Sequence, residues 1–563
     1  MSETVAQGNL KRVDLVLAWH MHQPDYRDHA TGEFRLPWTY LHAMKDYSDM
    51  AWHLEQHPGV RAVVNFTPVL LEQLDDYRDQ LASGLLRDPL LQLLAREGPP
   101  FTDEERAFVL ARCTNAGHER MFSPLTAYAG LRDIFEWMKA RGAVTARYLS
   151  DQYLFDLLTW YHLAWLGETV RRSSETATRL MSLGAGFTAD DRRSLVSLIR
   201  ELVGGIVARY RKLAEQGRIE ISTTPACHPL APLLLNLRSA REANAEIRLP
   251  ASREYPGGRE RVTAQLEAAL RVHREHFGQA AGGAWPAEGA ISPAFVALLG
   301  SAGCRWTASA EAVLVASLRA GGQPVAPSSF HRIYRVGDTA GPAIFFRDDR
   351  LSDLIGFEYP KWNSQDAASN FIAALEAVAA SAEGESPVVS VILDGENCWE
   401  HYDYNGYYFL EELYRRLESH PAIRTTTFAA RLAEAETRIA PLNRVAAGSW
   451  SHGNFADWIG SPDKNRAWDL LCAAKQSYDL VMASGRPDAV ARREAARQLA
   501  ACEGSDWFWW LGRAVDSDTE SFDALFRTHL SNLYRFLSLP VPAVLAEPIR
   551  GAAPVARPAR QAA

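Results

Sequence analysis

The sequence predicts an α/β fold: a (β/α) barrel of seven strands with a helical insertion and a C-terminal helical domain. Three observations carry this expectation. Seven short segments are nearly continuous apolar runs, as expected of parallel strands covered on both faces. Helical patterns separate them, which points to βα units. Each run ends in polar or aromatic residues, and a barrel gathers such strand ends into one mouth. An open doubly wound sheet would carry a Gly-rich phosphate turn after an early strand, and none is present.

The first run, 13–19 (VDLVLAW), leads into His20 and His22. The second, 61–66 (RAVVNF), carries Asn65, and the third, 218–222 (RIEIS), leads into Thr223 and Thr224. The fourth, 282–286, runs into Glu288; the fifth, 304–308 (CRWTA), leads to Ser309. The sixth, 343–347 (AIFFR), ends at Arg347 and Asp348, and the seventh, 387–393, runs into Asp394. Between the second and third runs lies too much helical pattern for a simple crossover, which predicts a helical insertion at about 75–215 within a catalytic barrel of residues 1–435. Thr188 with Asp191 reads as a capping box, opening a helix that runs to Gln216 with Gly217 as the residue beyond its end. From about Asn443 the strand signal disappears, and helices at 464–483, 488–503 and 518–538 predict a helical domain over 440–550. Residues 551–563, rich in Ala, Pro and Arg, read as a disordered tail.

Composition narrows the class. The chain has 563 residues, 47% hydrophobic and 23% charged, an ordinary globular balance. A net charge of −8 gives no basic footprint for nucleic acid or an anionic membrane. The six cysteines form no CxxC pair, which fits free thiols in a reducing compartment. The polar N-terminus lacks the apolar core of a signal peptide, and no run is long enough to span a bilayer. A cytoplasmic protein is the expectation.

Two isolated carboxylates then stand out. Glu288 follows Trp285-Pro286-Ala287, and Asp394 directly ends the last apolar run. A pair of carboxylates across a barrel mouth is what glycosidic bond cleavage requires. Taken singly, a charged residue at a strand end is commonplace; the neighbouring Trp285, able to pack on a sugar face, and the matching second acid favour function. Glu396 and Glu400 compete with Asp394 and can equally serve as hydrogen-bonding or helix-start residues. His20 and His22 point to the same side of their strand, as metal ligands, sugar hydroxyl donors or structural histidines. No partner cluster with metal-ligand spacing stands out. His20, His22, Trp285, Trp306 and Arg347 lie at or beside strand ends and are expected to line the pocket. Trp458 and Trp507 of the helical domain are expected to reach it. Glu220 lies in the third run, where a core-facing structural role is as plausible as a functional one.

The motifs HMHQP, GRIEISTTPACHPLAPLL, WPAEG and LDGENCWEHY, in that order over about residues 17 to 410, resemble the successive conserved regions of glycoside hydrolase family 57. The resemblance is nearest to its α-amylase and amylopullulanase-like members, and the segments 448–471 and 503–510 resemble the family's C-terminal helical region. It implies an incomplete seven-stranded (β/α) barrel and a retaining mechanism without a cofactor; no metal ligands are expected. It also implies Glu288 as nucleophile, Asp394 as acid/base and His22 as a substrate-binding histidine. The substrate it implies is an α-glucan such as starch, glycogen or maltooligosaccharide, cleaved at α-1,4 bonds, with α-1,6 branches as a further target. The first motif reads WHMHQP where many members have HNHQP. A 4-α-glucanotransferase or branching-type transglycosylase would use the same residues. Two further classes compete: a metal-dependent barrel hydrolase using His20 and His22, and a non-catalytic glucan-binding protein.

Overall fold

The structure, a computed structural model, describes residues 12–98, 100–114, 119–140, 148–337, 341–382, 386–513 and 517–551. The expected tail lies outside these residues, apart from Gly551.

Ten strands occur among the described residues: β1 (Val13–Met21), β2 (Ala62–Phe66), β3 (Ile219–Thr223), β4 (Gly283–Ala284), β5 (Trp306–Ala310), β6 (Ile333–Val336), β7 (Ala343–Arg347), β8 (Val388–Asp394), β9 (Ile423–Thr425) and β10 (Ile439–Leu442). Seven of them, β1, β2, β3, β4, β5, β7 and β8, pair in parallel in that order, and β8 returns to β1. The ring closes between β7 and β8 through a single pair, Arg347 opposite Ser390, so it is nearly split at that seam. The remaining three lie outside the ring: β9 beside β1, β6 antiparallel to β7, and β10 beside β6. Every residue of β1, β2, β5 and β7 is buried, which explains why these strands read as unbroken apolar runs.

β5 starts two residues later than the apolar pattern suggested, at Trp306. Trp306, mid-strand in the expected run, is therefore the first residue of β5, at the foot of the barrel and not at its mouth. Its Nε1 donates to Glu220 Oε1 at 2.7 Å, and its ring packs 4.4 Å from that of Phe428. Glu220 is thereby a structural clamp, since its second oxygen accepts the backbone N–H of Ala429 at 2.9 Å.

Helices fill the stretch between β2 and β3. The longest, Ala189–Glu215, begins with the expected Thr188–Asp191 capping box and is followed by Gly217 at φ 68°. Among the described residues after β10 the named elements are helices, chiefly Pro462–Ala483, Ala489–Cys502 and Ser517–Phe536, with the short Asp506–Trp510 turned towards the barrel mouth. Cys502 and Trp507 sit in the apolar core these helices share with the barrel. The six cysteines are all free. Among the described residues no helix is long and apolar enough to cross a membrane.

Candidate active site

The C-terminal ends of the strands open into a cavity of about 880 Å³. Its wall includes His20 and His22 from β1 and just beyond it, Glu288 after β4, Arg347 from β7 and Asp394 from β8. Glu288 and Asp394 therefore face one space, as expected of strand-end carboxylates.

Glu288 sits in a short 3-10 turn with φ 59° and ψ 23°, a left-handed conformation that costs a non-glycine residue strain. Two anchors hold it there. The backbone N–H of Trp450 donates to the Glu288 carbonyl at 2.9 Å, and the Trp450 indole N–H donates to Oε2 at 3.1 Å. The other oxygen, Oε1, lies 3.0 Å from the hydroxyl of Ser505. Burial, followed by the nearby negative charges of Asp506 and Asp394, pushes the Glu288 carboxyl up to about 8, while Ser505 and Trp450 pull it down.

Asp394 ends β8, opposite His20 in the register. The turn behind it needs Gly395, because a Cβ there would overlap Met21 Sδ. Asn397 Nδ2 donates to Asp394 Oδ2 at 2.9 Å. Burial raises the Asp394 carboxyl, opposed by Asn397, His22 and Arg347. Arg347 is fixed on the wall by the Ile392 carbonyl and by Asp349 and Asp353. Glu396 is almost fully buried beside Asp394 and lies well above the usual carboxylate range, first through burial and then through Asp394. Its Oε1 accepts from the His22 N–H, Gln23 Nε2 and Tyr47, so it braces the HQP turn. Glu400 also lines the cavity.

Three histidines stack against one wall. The rings of His22 and His228 lie 3.8 Å apart, and those of His20 and His228 5.0 Å apart. His22 Nε2 contacts Asp506 at 2.9 Å and its Nδ1 contacts Thr67 at 3.1 Å. His22, His228 and Asp506 bring donor atoms within 4.8 Å of one another, a spacing a cation could bridge. Both ring nitrogens of His22 and of His228 already have hydrogen-bonding partners, which accounts for the cluster as a hydrogen-bonded wall.

The aromatic surround differs from the expectation. Trp285 is buried beneath the cavity and packs on Trp450, ring centroids 5.3 Å apart, so it supports a wall residue without forming one. Trp306 lies at the barrel foot, as described. Trp458 is fully buried and backs Trp509 at 5.5 Å. Trp507 is buried against Phe526 and donates to the Ala501 carbonyl. The tryptophans on the cavity wall are Trp38, Trp450, Trp509 and Trp510. Trp450, Trp509 and Trp510 lie in segments the sequence singled out, but Trp38 does not, and which aromatic residue of a segment faces the core or the cavity is decided only by packing. His228, Ser505 and Asp506 were missed as individual residues although they lie inside the recognised motifs. No spacing rule links His228 to a residue almost three hundred positions later.

A family model for glycosyl hydrolase family 57 matches residues 16–441. A search of curated proteins gives no match. Among solved structures, the branching enzyme of Pyrococcus horikoshii shares 18% identity with a TM-score of 0.56, over 97% of this chain and 98% of that one. The branching enzyme of Thermococcus kodakaraensis shares 16% at a TM-score of 0.57, over 93% and 90%. The α-amylase AmyC of Thermotoga maritima shares 13% at 0.58, over 94% of each chain. At these identities the structural likeness establishes the fold alone; the family match rests on the sequence itself, and by it the chain belongs to glycosyl hydrolase family 57.

Proposed function

We propose that the protein is a retaining glycosidase acting on α-1,4-glucans, with Glu288 as nucleophile and Asp394 as general acid/base. The observation that carries this reading is the pair of half-buried carboxylates on one cavity, with both oxygens of Glu288 held by donors. Such a clamp fixes a carboxylate for attack on an anomeric carbon. Asp394, raised by burial and held by Asn397 through one oxygen, is suited to keep a proton for the leaving oxygen. In the first step a Glu288 oxygen bonds to the anomeric carbon while Asp394 gives its proton to the departing sugar. In the second, Asp394 takes a proton from water, which attacks the glycosyl-enzyme and restores Glu288. The competent state carries one proton on the pair, so its pH limbs belong to both residues together.

An α-glucan is the substrate class because the family's solved members of this fold include an α-amylase and branching enzymes. Trp450, Trp509 and Trp510 offer flat apolar faces for the sugar rings. A second reading is transfer, in which a sugar hydroxyl replaces water. Segments from the helical region roof the cavity with Trp509 and Trp510, and such a cover favours a sugar acceptor over bulk water. Incubation with maltooligosaccharides of defined length separates the two: shorter products alone mean hydrolysis, longer or α-1,6-linked products mean transfer. Binding of glycogen without any change in chain length would overturn both.

A further inference from the structure

A line of buried polar groups runs from the foot of the Glu288 turn to Glu288 itself, and its protons can be counted. Thr224 Oγ1 lies 2.8 Å from the backbone carbonyl of Trp285 and 2.9 Å from the Asn65 side-chain amide. The same amide atom lies 2.7 Å from His20 Nδ1, and the other is 3.0 Å from Ser222 Oγ. His20 Nε2 meets His228 Nε2 at 3.0 Å, His228 Nδ1 meets Ser505 Oγ at 2.9 Å, and Ser505 Oγ meets Glu288 Oε1 at 3.0 Å.

A backbone carbonyl can only accept, so Thr224 spends its one proton on Trp285. Thr224 then has none for Asn65 and must itself accept. The structure sets Asn65 Oδ1 at this point and Nδ2 towards Ser222; the two orientations of an asparagine amide place atoms at the same points, and the proton count selects the other one, with the NH2 facing Thr224 and the oxygen turned to the Ser222 hydroxyl. That NH2 donates to Thr224 and also to His20 Nδ1, which must be unprotonated. Burial lowers both histidines, His20 to about 3, so each ring is neutral and carries one proton. His20 thus donates from Nε2 to His228 Nε2, His228 donates from Nδ1 to Ser505, and the Ser505 proton is left for Glu288.

Resting on the nucleophile assignment above, we propose that Thr224, Asn65, His20, His228 and Ser505 form a one-way hydrogen-bond chain that locks Ser505 as a donor to Glu288. They are positioning residues that favour the ionised, attacking form of the carboxylate. The opposite polarity would give the Ser505 proton to His228 and require Glu288 to hold a proton of its own. The chain works against the groups that face Glu288 with negative charge, Asp394 and Asp506, and alongside the Trp450 indole N–H on its other oxygen.

The direct test is 15N NMR of the histidine-labelled protein, with His20 and His228 identified by single substitutions. The expected tautomers are a protonated Nε2 on His20 and a protonated Nδ1 on His228. A protonated Nδ1 on His20 together with a protonated Nε2 on His228 would overturn the proposal. The kinetic test uses Thr224→Val, which removes the anchor and lets Asn65 turn over, and Ser505→Ala. Both are expected to move the acid limb of kcat/KM on maltooligosaccharides up by about one pH unit, the worth of one charge-assisted hydrogen bond, and Ser505→Thr is expected to restore it. An unmoved limb in both variants would also refute the chain. Failure of the nucleophile assignment is a separate result: Glu288→Ala would then keep its activity whatever the tautomers.

Discussion

Asp506→Asn tests the electrostatics of the cavity with one isosteric change. Asp506 reaches the mouth from the helical region, contacts His22 at 2.9 Å and raises the carboxyls of both Glu288 and Asp394 by its negative charge. The amide oxygen introduced by the substitution can still accept from His22, so the geometry should persist while the charge is lost. A unit charge across ~8 Å at an effective dielectric constant of ~20 is worth about 2 kcal/mol, or about 1.5 pH units. With one charge fewer nearby, a carboxylate forms more readily, so both values fall. The charge bears more on Glu288, where it comes directly after burial, than on Asp394, where Asn397, His22 and Arg347 outweigh it. The whole bell of kcat/KM against pH should move to acid by about one unit, and the rate on its acid side should rise about tenfold. The assay is the initial rate on an aryl maltooligosaccharide between pH 4 and pH 9, with near-ultraviolet circular dichroism to establish that the fold is kept. A bell that stays in place or moves to alkaline pH would refute the charge coupling and with it the assignment of Glu288 as the elevated group.

Three further outcomes are expected. With an activated substrate, Asp394→Ala should form the glycosyl-enzyme and stall, and Glu288→Ala should form none; azide should rescue the first with retained and the second with inverted configuration, as read by NMR of the product anomer. The melting temperature of Glu288→Gln relative to the wild type should rise from about pH 4.5 to about 8 and stay level beyond, whatever offset its NH2 costs against the donors Ser505 and Trp450. Over that window the folded carboxyl holds a proton that the unfolded chain has released, so wild-type stability is lost as pH rises; the elevation from 4.5 to about 8 sets an upper bound of about 5 kcal/mol. Gly395→Ala should lower the melting temperature and cut activity, since its Cβ would overlap Met21 Sδ, an overpacking worth about 1–3 kcal/mol.

The barrel was legible because burial on both faces leaves an unmistakable apolar run; β1, β7 and β8 end within two residues of where the runs do. Three strands escaped. β9, with the sequence Ile-Arg-Thr, is only three residues long, and β6 and β10 are half-exposed strands outside the ring. The two carboxylates and His22 were readable from local context, because strand ends and motifs carry that information. Ser505 and His228 were not, because they meet 277 residues apart and neither is unusual in its own segment. Trp306 misled for a local reason: the run 304–308 put it mid-strand, whereas it is the first residue of β5, the end away from the mouth.

The floor of the cavity comes from the strands, but Ser505, Asp506, Trp509 and Trp510 come from far downstream of the last strand in the ring. During synthesis the ring of strands is complete on the ribosome well before these residues leave the exit tunnel. Until then Glu288 lacks its hydroxyl donor, and the core that the barrel shares with these helices is incomplete. The hydroxyl donor to Glu288 and the tryptophan cover of the cavity are thus the last parts of the pocket to be made.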